Sequence, residues 1–209
     1  MTLSRRWLLA TPLLLTPLLA IDGPSAQAQG APPSTRIRGT IAAIAGDSLT
    51  VTPREGGSVT IALADNLVVS ARKRVELASI KPGDYLGIAA APAADGGWQA
   101  IEVVVFPEAL RGIAEGHYAW DLAPGTSMTN ATVAAAVEKT AGRELTMNYR
   151  GGSTAIQVPP EASVVTPIPA ARSDLVVGAQ VVVQAVRDAG GAYSTTRVTV
   201  SKDGVMLPM

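Results

Sequence analysis

Apolar and polar residues alternate with a period of two along much of this chain. Leu49 and Val51, then Val59, Ile61 and Leu63, then Ile101, Val103 and Val105 each place apolar side chains on one face of an extended segment. Leu145, Met147 and Tyr149, then Thr154, Ile156 and Val158, then Val198 and Val200 repeat the pattern. The turns between these runs repeat as well. Arg54-Glu55-Gly56-Gly57 returns 95 residues on as Tyr149-Arg150-Gly151-Gly152, Pro82-Gly83 returns at the same shift as Val177-Gly178, and Asp95-Gly96-Gly97 returns at 94 as Ala189-Gly190-Gly191. Hairpin turns call for positive φ, which is sterically cheap only without a Cβ. Gly39-Thr40-Ile41-Ala42-Ala43 comes back, at a slightly shorter shift, as Asn130-Ala131-Thr132-Val133-Ala134-Ala135. A near-constant shift across several turns predicts an internal duplication.

Each copy reads as three strands, a connection with a short apolar turn (Leu77-Ala78-Ser79-Ile80, then Leu175-Val176-Val177), and two more strands. Five strands with the long connection after the third is the order of an OB-type barrel, although an SH3-like barrel or small sandwich has the same periodicity. The expected fold is therefore all-β: two tandem small OB-like five-stranded barrels, at residues 36–106 and 130–203, joined by an irregular segment at 107–129. The runs Ile37-Arg38-Gly39-Thr40, Ala64-Asp65-Asn66, Ile80-Lys81-Pro82-Gly83-Asp84-Tyr85-Leu86, Phe106-Pro107-Glu108 and Glu115-Gly116-His117, continuing to Asn130, resemble an uncharacterised bacterial family of exported β-barrel domains. The resemblance implies a fold and no established activity; relatives are sometimes labelled metal transporter permease. Ala114 stands where the resemblance leads one to expect a glycine.

Composition narrows the function classes. Residues 1–28 read as a signal peptide: Arg5 and Arg6 precede a Leu-rich run from Trp7 to Ala20, and Ala26-Gln27-Ala28 supplies a small-x-small cleavage site. Ser4-Arg5-Arg6-Trp7-Leu8-Leu9 is similar to a twin-arginine signal, against which stand an ordinary Sec signal and an uncleaved anchor that Pro12 and Pro17 would interrupt. Cleavage near Ala28 predicts a periplasmic protein with no membrane span after removal of the signal. It would also remove Arg5, Arg6 and Asp22, leaving 15 Lys plus Arg against 16 Asp plus Glu. That balance supplies no basic face for nucleic acid. Cysteine is absent, which excludes disulfides, thiolate metal sites and cysteine nucleophiles.

Candidate chemistry gathers in the segment 107–129, too long for an ordinary connection. It holds Tyr118 and Trp120 beside the only histidine, His117. The two aromatics suit packing across a barrel interface or a ligand surface. A copper or zinc site would draw on His117, the carboxylates of Glu115 and Asp121 and the thioether of Met128, but one imidazole without a thiolate is few ligands for either ion. A hydrolase reading takes His117 as base, Asp121 as its orienter and Ser127 as nucleophile, without a Gly-x-Ser-x-Gly elbow. The leading expectation is a non-enzymatic exported binding or envelope-associated module for an unknown small ligand or envelope protein, without a resident cofactor. Metal binding through the connecting segment is the alternative, and a hydrolase the minor one. If the export route is twin-arginine, replacing Arg5 and Arg6 together by lysine abolishes periplasmic accumulation in a fractionation assay and leaves folding intact; normal accumulation assigns the chain to Sec.

Overall fold

The computed structural model describes residues 34–94, 96–139 and 142–209; the signal-like segment, with Arg5, Arg6 and Ala28, lies outside the described residues. Twelve strands appear among them: β1 (Ser34–Ala45), β2 (Ser48–Pro53), β3 (Val59–Arg74), β4 (Tyr85–Pro92), β5 (Trp98–Val105), β6 (Gly116–Ala119), β7 (Ser127–Lys139), β8 (Gly142–Tyr149), β9 (Gly152–Val158), β10 (Ser163–Ala170), β11 (Gln180–Arg187) and β12 (Tyr193–Val200). Three short 3-10 turns interrupt them, and no α-helix is present among the described residues. No helix there is long and apolar enough to cross a membrane.

The strands close on one another in an exchanged order. β1 pairs β2, β2 pairs β3, β3 runs parallel to β12, β12 pairs β11, and β11 returns to β1, which closes a five-stranded barrel. A second circuit runs β7, β8, β9, β5, β4 and back to β7, with β5 and β9 parallel. The first barrel thus takes three strands from the first repeat and two from the second, and the second circuit does the reverse. Their cores follow suit. Ile41, Leu49 and Ile61 pack with Val181, Val183 and Val198 in one cluster, and Leu86, Ile88 and Val103 pack with Val133, Leu145 and Ile156 in the other. The bounds 36–106 and 130–203 therefore mark repeats, and neither repeat encloses a core of its own.

The physical reason is the length of β3. The strand that carries Val59, Ile61 and Leu63 continues without a turn through Ala64, Asp65 and Asn66 to Arg74. Sixteen residues at about 3.3 Å each carry the chain roughly 50 Å, beyond the first barrel, before β4 begins. β4 and β5 consequently meet β7 and β9. In the second repeat Pro159-Pro160 interrupts the same stretch and yields β9 and β10. β10 lies antiparallel to the far half of β3 and parallel to β5, so it joins the two circuits into one sheet.

The duplication is visible in the registers. Trp98 opposite Ile156 corresponds, 95 residues apart in each member, to Tyr193 opposite Ile61, and Glu102 opposite Ser163 corresponds to Arg197 opposite Val68. The bulge between Ile41 and Ala43 recurs between Val133 and Ala135, and that between Ala89 and Ala90 recurs between Gln184 and Ala185. Arg72 faces Pro167, its own equivalent, so a pseudo-two-fold axis passes through the β3–β10 ladder. Arg72 sits in β3 with Lys73 and Arg74 and ion-pairs Glu102 of β5 across β10. Glu102 is 3% exposed, and removing its partner would leave a buried charge uncompensated at about 3–5 kcal/mol.

Ala114 has φ +47°, in the left-handed region where a glycine is expected, so the constrained backbone is kept with a Cβ that costs about 1–2 kcal/mol. An isolated first repeat, residues 34–106, carries β1–β3 without β11 and β12, and β4–β5 without β7 and β9. Such a fragment is expected to fold as a symmetric dimer in which each copy lends β4 and β5 to the other. Light scattering after size-exclusion chromatography should give twice the fragment mass; a folded monomer would show that β4 and β5 can turn back onto their own β1–β3.

Candidate functional site

β6 and β7 form a hairpin whose tip, residues 120–126, reaches the first barrel. Gly116 to Ala119 pair with Asn130 to Ser127, and the Trp120 N–H donates to the Thr126 carbonyl to start the turn. The Thr126 hydroxyl accepts from the Ala123 N–H and donates within the same turn, to the Ala123 and Trp120 carbonyls, which stiffens the tip. Three arginines of the first barrel receive it. Arg36 and Arg38, two apart on β1, lie on its outer face, because Ile37 and Ile41 are committed to the core. Arg54 follows β2. The Asp121 carboxylate accepts from Arg36 at 2.8 Å and from Arg38 at 2.9 Å. Arg54 donates to the Leu122 carbonyl at 2.5 Å and to the Asp121 carbonyl at 2.8 Å, and Glu55 pairs with the Arg54 Nε.

The Arg36 guanidinium also lies 3.9 Å from the centre of the Trp120 ring, within cation–π range. Trp120 is half-buried and bridges the hairpin to the first barrel, whereas Tyr118 is exposed and stays on the second circuit, where Asn130 Nδ2 donates to its hydroxyl at 3.4 Å. Arg38 is only 4% exposed, and its Nε–H has no hydrogen-bond partner. A cleft of about 280 Å³ opens beside these groups, lined by Ser34, Thr35, Arg36, Asp121 and Gln184. Burial pushes the Asp121 carboxyl up, but hydrogen bonds and charge from Arg38 and Arg36 outweigh it and hold the group below the usual carboxylate range.

Of the residues expected to hold a metal, His117, Glu115 and Asp121 each bond to another partner. His117 Nδ1 shares a 2.8 Å hydrogen bond with Thr129 Oγ1, while its ring lies edge-on to Trp98 and stacks with Tyr149. Glu115 accepts from the Arg150 N–H, Asp121 belongs to the arginines, and Met128 pairs with Tyr118 in the β6–β7 ladder. Among the described residues no three His, Asp or Glu side chains stand together as a metal-holding group. The triad of the hydrolase reading is not assembled either, since the Ser127 Oγ is buried without a partner and His117 meets Thr129 instead. Asn130, which opens a glycosylation sequon, is buried in the ladder at 6% exposure. The arginine group went unread in the sequence because Arg36 and Arg38 lie 83 or more residues from Asp121. Their only signal there was two charges two apart at the start of a strand.

The family described as a domain of unknown function (DUF5666) matches residues 38–104. The matched stretch runs from β1 to β5, one repeat, which here is shared between the five-stranded barrel and the second circuit. No curated protein and no solved structure matches the chain.

Docking of the tip carries a pH signature. A carboxyl held below its unfolded value contributes stability that is present above the unfolded pKa and lost as pH falls through the lowered folded-state value. Asp121→Asn is therefore expected to lower the melting temperature at neutral pH and to flatten its fall in acid below the ordinary carboxylate range. Trp120→Ala, losing a half-buried ring and its guanidinium contact, should cost about 1–3 kcal/mol by denaturant titration. An Asp121→Asn melt that matches wild type at pH 7 would show that the tip is held by other contacts.

Proposed function

We propose that the chain is an exported, periplasmic, non-enzymatic binding module built on two OB-type barrels, and that its binding surface is the arginine-lined mouth of the first. The strand order supports the barrel type: within each circuit the first three strands of one repeat are followed by the fifth and then the fourth of the other, the OB order with exchanged partners. Export rests on the N-terminal sequence pattern alone.

The observation that carries the binding surface is the cleft lined by Arg36 and Asp121, with Arg38 buried behind it against the same carboxylate. The Arg36 guanidinium lines that cleft and is partly exposed, so donors that Asp121 does not take are suited to an incoming acceptor. Three cations share Asp121 and Glu55, which favours a carboxylate or another compact anionic group on the ligand. Succinate serves as the probe. Its titration should raise the melting temperature of the mature chain saturably, and Arg36→Gln should remove most of that rise. A melting temperature indifferent to succinate, or an equal rise in the variant, would overturn the surface.

A further inference from the structure

The pseudo-symmetry places β1 of the first barrel on β7 of the second with a shift of 92: Ile41 answers to Val133 and Ala43 to Ala135 at the shared bulge. Thr35 to Arg38 thus correspond to Ser127 to Asn130. The inner ladders agree, since Thr35, Arg36, Ile37 and Arg38 face Ala185, Gln184, Val183 and Val182 on β11, while Ser127, Met128, Thr129 and Asn130 face Ala90, Ala89, Ile88 and Gly87 on β4. On the opposite edge the two barrels part company. Ser127 to Asn130 pair there with β6, the chain's own extended segment. No described strand pairs with Thr35 to Ile37 on that edge, because β2 reaches only Gly39 and Arg54 follows it at Arg38.

The direction of the open groups follows from the ladder. The Arg38 carbonyl accepts from the Arg54 N–H on the β2 side, and strand residues two apart point their backbone groups to the same side. The N–H and C=O of Arg36 therefore face the uncovered edge, as those of Met128 face Tyr118 of β6. Unpaired strand edges are templates for an added strand.

We propose that this edge of β1 binds an extended acidic peptide segment as an added strand, in the place that β6 takes on β7. The proposal rests on the binding surface assigned above and names its ligand class. The occupant is acidic because Arg36, Arg38 and Arg54 flank the edge and the segment filling the equivalent place is bounded by Glu115 and Asp121. Main-chain bonds to Arg36 supply strand addition, and a carboxylate of the peptide reaches the guanidinium groups.

The test uses the full mature chain and a fluorescein-labelled peptide with the sequence of residues 115–121, Glu-Gly-His-Tyr-Ala-Trp-Asp. Anisotropy should show saturable binding. Arg36→Gln should weaken it about tenfold, one charge-assisted contact, and Arg36→Pro, which also removes the edge-facing N–H, about tenfold further. The β11 ladder does not use that N–H, and thermal melting checks that the proline variant is folded. A peptide N-methylated at alternate residues should fail to bind the unaltered chain, and the Arg36 amide should pass from fast to slow hydrogen exchange on addition of the unmethylated one. Equal binding of the methylated peptide overturns strand addition and leaves the anionic surface standing. Absence of peptide binding while succinate still stabilises the chain has the same meaning, and failure of both probes removes the surface too. A free chain that is already a dimer, with the Arg36 amide protected, assigns the edge to a second copy and overturns the proposal.

Discussion

β3 runs without a turn from Val59 to Arg74, and the placement of every later strand depends on it. Its first half belongs to the first barrel, where Ile61 is fully buried, and its second half forms the ladder with β10 around the Arg72 and Pro167 positions. A strand that turned back near Leu63 would have set β4 beside β1 and closed a barrel from one repeat. A strand that goes on commits β4 and β5 to the other side of the pseudo-axis, and the duplicated sequence commits β11 and β12 to the reciprocal move. Each core is then assembled from two distant stretches of chain. The buried Arg72–Glu102 pair lies close to that axis, where one charge pair links β3 to β5 across β10.

Alternation and glycine spacing were enough to read nearly every strand, because period-two burial is a local property and positive φ at Gly83 and Gly178 is a local demand. The same signals are silent on partner choice. β4 presents an identical apolar face whether it meets Gly39 and Ile41 or Asn130 and Val133, so exchanged and unexchanged repeats share one alternation pattern. The deciding residues were Ala64, Asp65 and Asn66, whose backbone stays extended. The connecting segment was legible as the place where polar and aromatic groups gather. Its partners were not, since Asp121 and Trp120 find Arg36, Arg38 and Arg54 only through the tertiary fold.

Duplication makes the differences between the halves informative. The turn carrying Tyr149 corresponds to one carrying Arg54, and Trp98 corresponds to Tyr193, so the second circuit is aromatic around His117 where the first barrel is cationic. The β6 segment exists once, and it serves both mouths unequally: its strand completes β7, and its tip caps the outer face of β1. An arginine as buried as Arg38 is tolerable only because that tip brings Asp121 to it.

Exchange of strands also reverses the order in which the chain can mature as it leaves the ribosome. Ser34 lies opposite Val186 and Gly39 opposite Val181, so the N-terminal strand waits for almost the whole polypeptide before its barrel can close. The inner circuit, whose strands lie between Tyr85 and Val158, has all its partners earlier. Synthesis usually lets N-terminal units fold first. Here the inner circuit is complete first, and β1 meets β11 last.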